Sequence, residues 1–196
     1  LYNVGFGAVF STIGAIINKK KNERFSKVIP RALWQGAVGG YINFESKRII
    51  GAAGEDDSWK YYWGGKIVTA IGTSIKENAS LGLEFGRRWH MNIGFSRLEL
   101  NFDSHFNFSY KILPVALVFT GNQFLRHTFD VGRTLRTGEV IFEAKSLLDL
   151  DVSAYAVPGG IVIDKLFIEN KKILSHEIIQ VYQSNEFSIF NSYMYK

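Results

Sequence analysis

Residues 174–183 contain the side chains whose types and spacing come closest to a known catalytic motif. His176 is followed by Glu177, and Gln180 stands four residues after His176. In a zinc peptidase helix, His at i and i+4 point two imidazoles at one Zn²⁺, and Glu at i+1 is the general base for the metal-bound water. Gln180 puts a carboxamide in place of the second imidazole, and the chain has no Cys to substitute. The sequence therefore predicts that this helix holds no zinc.

A third metal ligand is not identifiable either. Glu186 is the only carboxylate that follows the segment. We therefore expect no metal, no cofactor and no catalysis, with His176 and Glu177 bonded to backbone groups. A weak or unusual metal site on the same two residues is the alternative.

Two elements must position these residues. A hairpin is predicted over 154–163, because apolar strands flank the turn Pro158-Gly159-Gly160. A helix is predicted over about 171–184, because apolar residues recur there at spacings of three and four. These residues are Ile173, Leu174, Ile178 and Val181.

The hairpin and helix together resemble the small zincin-like metallopeptidase domains of bacterial toxin- and secretion-associated proteins. In those domains an aromatic–glycine hairpin lies above a helix that reads Leu-x-His-Glu-hydrophobic-x-His-hydrophobic-hydrophobic-Gln. The resemblance covers residues 151–183. His176 matches the first ligand and Glu177 the general base, while Gln180 departs at the second ligand. The resemblance implies a vestigial site on a pseudo-metallopeptidase scaffold.

The chain also resembles uncharacterised outer-membrane or periplasmic proteins of the Bacteroidota. The shared features are a glycine-rich opening, a Phe-Glu-Ser-Lys-Arg segment at 44–48, a small-residue helix at 66–79, a strand region and a terminal His-Glu helix. This resemblance implies placement at the cell envelope, in the outer membrane or on its periplasmic face. It carries no known activity.

Composition narrows the function classes. With no Cys, the chain has neither disulfides nor a thiolate ligand or nucleophile. The net charge is +5, but the basic residues are spread out and only Lys19-Lys20-Lys21 forms a run. Nucleic acid is therefore not an expected partner. A solvated loop is favoured for the run, with an anionic membrane surface as the alternative.

Residues 1–88 are predicted to be helical and to face a membrane or a partner. The uncharged opening 1–18 is read as a helix in preference to a strand, and further helices are expected over 31–50, with Pro30 in the first turn, and over 66–80. Gly36 and Gly40 lie one turn apart, a spacing that lets another backbone approach closely.

Four aromatic residues stand directly before the third of these helices. They are Trp59, Tyr61, Tyr62 and Trp63. Beside Lys60 and Lys66 they are typical of a membrane–water interface, and an aromatic core patch explains them equally well. We expect them, with Gly36 and Gly40, to contact membrane lipid or other subunits of a membrane complex. In the alternative, the helices cover the sheet that follows and bury everything internally.

Residues 89–196 are predicted to form an antiparallel sheet that carries the hairpin and helix. Strands are expected over 91–102 with a bulge, 106–112 after a turn at Asp103-Ser104, 115–119, 139–145, 152–157 and 161–163. Charged residues in the helices are expected to form structural pairs, Glu45 and Glu77 with Lys47, Arg48 or Arg87. His90, His105 and His127 are expected at the surface or in hydrogen bonds.

The predicted fold class is α+β, in two regions, 1–88 and 89–196. The predicted function is a non-enzymatic cell-envelope protein, a structural subunit of a larger membrane complex. The alternatives are a membrane-associated metallopeptidase with an unorthodox site and a small outer-membrane β-barrel, for which the clear strands are too few. Because the chain opens on Leu1-Tyr2, we also expect a processed product or a segment of something longer.

Overall fold

The structure is a computed structural model that describes residues 2–56, 58–102, 106–145, 147 and 152–187. Within these residues the fold is α+β, as predicted, with six helices and two sheets. The expectation of a purely antiparallel sheet was wrong. One sheet is antiparallel, but the other is mixed, because two of its strands run parallel.

The helices are α1 (Tyr2–Ile17), α2 (Phe25–Ala53), α3 (Trp59–Ser80), α4 (Pro114–Arg126), α5 (Val131–Thr137) and α6 (Lys171–Phe187). The first sheet has the order β1-β2-β3, from Arg88–Ile93, Ser96–Asn101 and Asn107–Ile112. The second sheet has the order β4-β5-β7-β6, from Thr128–Phe129, Ile141–Ala144, Gly160–Asp164 and Ala154–Val157.

Small residues bring α1 and α2 into backbone contact. A Cβ added to Gly36 would lie 2.4 Å from the Gly7 carbonyl oxygen, and one added to Gly40 would lie 2.2 Å from that of Asn3. Ser11 ties α1 to α3 as well, because its hydroxyl donates to the Lys76 carbonyl at 3.1 Å. The backbone that approaches Gly36 and Gly40 is therefore α1 of the same chain.

The second sheet is covered on both faces. Ile141, Ile161 and Ile163 are fully buried in a core that includes residues of α2, α3 and α6. Phe142 and Val162 alternate with them in a second cluster, where the Phe142 ring meets that of Phe124 in α4, with centroids 4.9 Å apart. This sheet therefore lies between α6 and α4, as the period-two alternation of its strands requires.

The two sheets meet at two glycine turns. Gly94 links β1 to β2 with φ of 59°, and Gly159 links β6 to β7 with φ of 82°. A Cβ on Gly159 would lie 3.0 Å from the carbonyl carbon of Gly94. Both positions favour glycine, because they combine a left-handed backbone with a close contact. The bulge expected near Gly94 was wrong, since the chain turns there and begins a new strand.

Three other boundaries differ from the predictions. Residues 115–119 lie in α4, which begins with Pro114 at a position where a helix tolerates proline. Helix α2 begins at Phe25, so Pro30 lies inside it and not in its first turn. The aromatic cluster does not precede α3 but forms its first turns. The predicted turn at Asp103-Ser104 lies outside the described residues.

Candidate functional site

Helix α6 presents the predicted metal residues on two different sides. Its start is fixed by Asn170, whose side-chain oxygen accepts the backbone N–H groups of Lys172 and Ile173. Four apolar side chains anchor the helix in the core, namely Leu174, Ile178, Val181 and Tyr182. That anchoring leaves His176 exposed and Gln180 half-buried, while Glu177 is buried at 6% exposure.

Gln180 occupies the place of a second imidazole and bonds to the first. Its amide nitrogen lies 2.8 Å from His176 Nε2 and donates to it. The ring nitrogen that would face a metal is therefore engaged within the helix. The predicted bond from His176 to a backbone group is replaced by this side-chain contact.

Glu177 is the chemically unusual member of the set. Burial raises the pKa of its carboxyl, opposed by the nearby His176 and by a hydrogen bond from the backbone of Ala156 in β6. This bond confirms the expected backbone partner for Glu177. Its Oε2 atom has no hydrogen-bond partner among the described residues. A carboxylate with a raised pKa is a stronger base than an ordinary one, but a substrate must still reach it.

Glu186, the one candidate for a third ligand, is committed elsewhere. Its carboxylate is 2.6 Å from Lys47 Nζ and 3.6 Å from Lys76 Nζ. Burial lowers the pKa of Lys76 to about 8, although the charge of Glu186 opposes that shift. The cluster fastens α6 to α2 and α3. Among the described residues, no group of three or more His, Asp or Glu side chains is placed to hold a metal ion.

An open cleft lies between α6 and the edge strand β6. It has a volume of about 390 Å³. Its lining consists of Ala156, Val157, Pro158, Gln180, Gln183 and Ser184. Neither His176 nor Glu177 belongs to this lining, so the cleft does not bring a bound molecule onto the two residues with the best chemistry.

Charged residues are concentrated on the side of the first sheet that packs on α3. Glu77 of α3 accepts hydrogen bonds from Arg97 at 2.6 and 2.7 Å and pairs also with Arg88. Arg97 in turn pairs with Glu99 at 2.6 Å. The predicted structural pairing of Glu77 is confirmed, and the partners that the structure shows are Arg88 and Arg97.

His90 belongs to the same buried cluster. Its backbone N–H donates to the Ser74 hydroxyl at 2.8 Å, and its Nε2 is 3.7 Å from the Glu77 carboxylate. Burial lowers the pKa of His90 to about 4, with Glu77 opposing and the two arginines assisting. Burial alone would raise the pKa of Glu77, but His90, Arg97 and Arg88 together lower it to about 2.

Two of the other residues singled out in the sequence make simpler contacts. His127 lies 3.3 Å from the Tyr155 hydroxyl, and Glu45 pairs with Arg48 at the surface. His105 lies outside the described residues.

The opposite side of the first sheet is apolar and, among the described residues, at most partly buried. Cross-strand partners share a side, and on this side the pairs are Met91 with Leu98, Leu98 with Tyr110, and Leu100 with Phe108. None of these residues is buried, and Phe108, Tyr110 and Ile112 are 56%, 52% and 47% exposed. We call this side the outward face. A sheet in water normally has the reverse arrangement, with the polar side exposed.

The predicted aromatic interface divides into exposed and internal members. Trp59 is 59% and Tyr61 38% exposed, whereas Tyr62 is fully buried in the core. Trp63 donates its indole N–H to the Leu135 carbonyl at 2.9 Å. Lys66, expected beside a membrane, is buried and pairs with Glu139. Trp59 and Tyr61 are therefore the two members of the cluster that remain open to a partner.

No family model, curated protein sequence or solved structure matches the chain. The structure defines an α+β protein with a helix α6 that carries His176 and Glu177. Its first sheet is inverted, which means that charged residues lie on the buried side and apolar residues on the outward face. In the part of the chain that is described, no helix combines the length and apolarity that crossing a membrane requires.

Proposed function

We propose that this protein is a non-enzymatic structural subunit of a larger membrane-associated assembly at the cell envelope. The inverted first sheet is the observation that carries the proposal. Its charged residues Arg97, Glu99 and His90 are buried on the side that packs on α3, whereas none of the apolar residues on its other side is buried among the described residues. Large exposed apolar surfaces mark places where a protein meets another protein or a membrane.

Helix α4 supports the same proposal. Its buried residues are Ala116, Thr120 and Gln123, while Val118 is 70% and Leu125 87% exposed. Apart from Phe124, which packs on Phe142, the helix thus turns its small and polar residues inward and its large apolar residues outward. It follows β3 directly in the chain, and in this proposal an assembly partner covers the exposed apolar residues of both elements.

The hairpin β6–β7 and helix α6 take the role of a pseudo-metallopeptidase scaffold in this proposal. Gln180 holds His176 through a hydrogen bond, and Glu186 is held between two lysines. Both contacts stabilise α6 without a metal. In this proposal the hairpin and helix share their arrangement with zincin-like domains, and here that arrangement serves packing.

The experiment is purification of the full chain from native membranes under mild detergent, with mass spectrometry of what remains bound. The proposal expects defined partner proteins in constant ratio and aggregation when detergent is removed. A full-length chain that is monomeric and soluble at high concentration without detergent would refute it.

One observation favours the hydrolase alternative. Glu177 combines a raised pKa with a free carboxylate oxygen beside the edge strand β6, which is what a general base requires. Peptidase assays with added zinc distinguish the two functions. Activity that disappears in Glu177→Gln would establish the hydrolase and remove the structural proposal.

A further inference from the structure

Helix α1 is inverted in the same way as the first sheet, because its large apolar residues face outward and its small residues face inward. The helix contains no charged residue. Its exposed positions recur every three or four residues and therefore share one side. They include Tyr2, Val9, Ile13, Ile16 and Ile17, which are between 41% and 80% exposed. We call this side the α1 outer face.

The side of α1 that meets α2 and α3 is made of small residues. Gly7, Ser11, Gly14 and Ala15 are its buried members. Large apolar side chains are usually the ones that a protein buries in water. Contact through small residues is instead typical of helices that associate in lipid, where burial of large side chains brings no gain. The arrangement of α1 therefore fits an apolar medium on its outer face.

The charge of the protein is concentrated immediately beyond this helix. Residues 1–44 contain six Lys or Arg and one acidic residue, Glu23, whereas the remainder of the chain contains 17 basic and 17 acidic residues. The whole net charge of +5 therefore belongs to the first 44 residues. Four of the six basic side chains are exposed, namely Lys20, Lys21, Arg24 and Lys27.

The segment between α1 and α2 has an ordered basic surface. Lys19 Nζ donates to the carbonyl oxygens of Lys20 and Glu23, both at 2.9 Å, and lies 4.9 Å from the centre of the Phe25 ring. An open cleft of about 530 Å³ adjoins this segment. It is lined by Asn22, Glu23, Arg24, Lys27, Val28 and Arg31. We call the four exposed basic residues and this cleft the basic corner.

We infer that α1 lies in the plane of an anionic phospholipid bilayer, with the α1 outer face at the acyl boundary and the basic corner among the headgroup phosphates. Apolar side chains next to clustered Lys and Arg are what such a surface binds. The inference rests on the proposed function in one respect, that the protein is held at a membrane. It adds which face makes the contact and which lipids it selects.

The test is flotation of the full chain with vesicles of phosphatidylcholine alone or mixed with phosphatidylglycerol. We expect binding to the mixed vesicles to be at least about 100-fold tighter and to weaken at high salt, which screens the basic corner. Each Lys near an anionic surface contributes a factor of about five. Lys20→Gln/Lys21→Gln/Lys27→Gln should therefore weaken binding to the mixed vesicles by about 100-fold.

Matched variants control for charge and for exposed apolar area. Lys165→Gln/Lys171→Gln/Lys172→Gln removes the same charge from exposed positions elsewhere. It should leave binding within about threefold, which is less than the loss expected from a single Lys at the membrane surface. Val9→Gln/Ile13→Gln should reduce binding to both kinds of vesicle, whereas Leu135→Gln/Leu166→Gln, also at exposed positions, should reduce neither.

The outcomes separate this inference from the proposed function. Equal binding to both vesicle types, or equal losses in the basic-corner variant and its control, overturns the inference alone. If the wild-type chain floats with neither vesicle yet still purifies with partner proteins, the inference is wrong and the assembly proposal stands. If the chain binds the mixed vesicles through α1 but purifies as a soluble monomer, the inference stands and the assembly proposal fails.

Discussion

Buried charge is placed at the contact between α3 and the first sheet, where apolar packing would be expected. Glu77 is 3% exposed and Arg97 6% exposed, so each depends on the other for the interactions that water would supply. Removing one member of such a pair leaves a charge buried alone, which typically costs about 3–5 kcal/mol. The cluster therefore fixes the orientation of the sheet and keeps its apolar side outward.

The titration of His90 should make the stability of the protein depend on pH. Its pKa is about 4 in the folded protein and 6.5 in the unfolded chain, so the unfolded chain binds the proton first as the pH falls. The free energy of unfolding should then decrease by roughly 3 kcal/mol between pH 6.5 and pH 4. Urea unfolding across this range measures it.

The control for that prediction is a pair of substitutions. His90→Gln should remove most of this decrease, although it should also lower stability at pH 7. His176→Gln removes an exposed imidazole and should leave the decrease intact. A pH dependence that is the same in His90→Gln and wild type would show that another group is responsible.

The metal residues allow a second prediction at the residue scale. Gln180→His restores the i and i+4 pair of imidazoles, but Glu186 is held by Lys47 and Lys76 and cannot supply a third ligand. We expect zinc binding in the micromolar range or weaker, with less than one zinc per chain after dialysis. Metal analysis and calorimetry measure this, with Gln183→His as the control. A tight site that chelators empty, in Gln180→His alone, would show that the scaffold is still poised to bind metal.

At the scale of elements, patterns with an unambiguous period were predicted well. Helices α1 and α6 and the β6–β7 hairpin fall where spacing and turn residues placed them, and α3 ends where predicted but begins seven residues earlier. Residues 115–119 were misread as a strand, because Val115, Leu117 and Val118 are exposed and so do not follow the usual helical pattern of burial. Pro114 was the local signal for a helix start that could have corrected this reading.

The candidate site could be predicted only in part from the sequence, for a related reason. His176, Glu177 and Gln180 are close in sequence, and their contact follows from helical spacing alone. Glu77, Arg88 and Arg97 come together only when α3 meets the first sheet, so no local pattern indicated which arginines would pair. The excess of basic residues in 1–44 was present in the sequence, but its meaning depends on the uncovered face of α1 beside it.

The contact between α1 and α2 gives a prediction at the scale of elements. A Cβ on Gly36 would meet backbone oxygen of Gly7 at 2.4 Å, whereas one on Gly51 in the same helix meets nothing within 4 Å. Gly36→Ala should lower the free energy of unfolding by about 1–3 kcal/mol, because the helices must separate. Gly51→Ala should raise it by about 0.5–1 kcal/mol, the usual gain of alanine in a helix.

Chemical unfolding of the two variants beside the wild-type chain measures this difference. If both alanines are tolerated equally, α1 does not pack against Gly36 at the distance described. The α1 outer face would then have to be reconsidered, since its exposure depends on that packing.

At the scale of the whole molecule, three separate elements turn large apolar residues outward. They are α1, α4 and the first sheet, and each places small, polar or charged residues on its inner side. A single inverted element could be a local accident of packing. Three of them, joined to a second sheet whose core is conventional, support the proposal that other molecules cover this protein when it functions.

The outward face of the first sheet provides the last prediction. Phe108→Thr/Ile112→Thr replaces two exposed apolar residues of β3 by a residue that strands accept, so the sheet itself should persist. Without detergent, the wild-type chain should form large species in light scattering after size exclusion, because β3 is apolar and, within the described residues, is an edge strand with no strand paired on its outer side. The variant should shift toward monomer and should recover fewer partner proteins from membranes, whereas Leu135→Gln/Leu166→Gln should change neither. Loss of self-association without loss of partners would show that β3 causes aggregation but does not bind the assembly partners. The assembly would then use another face, for which α4 is the next candidate.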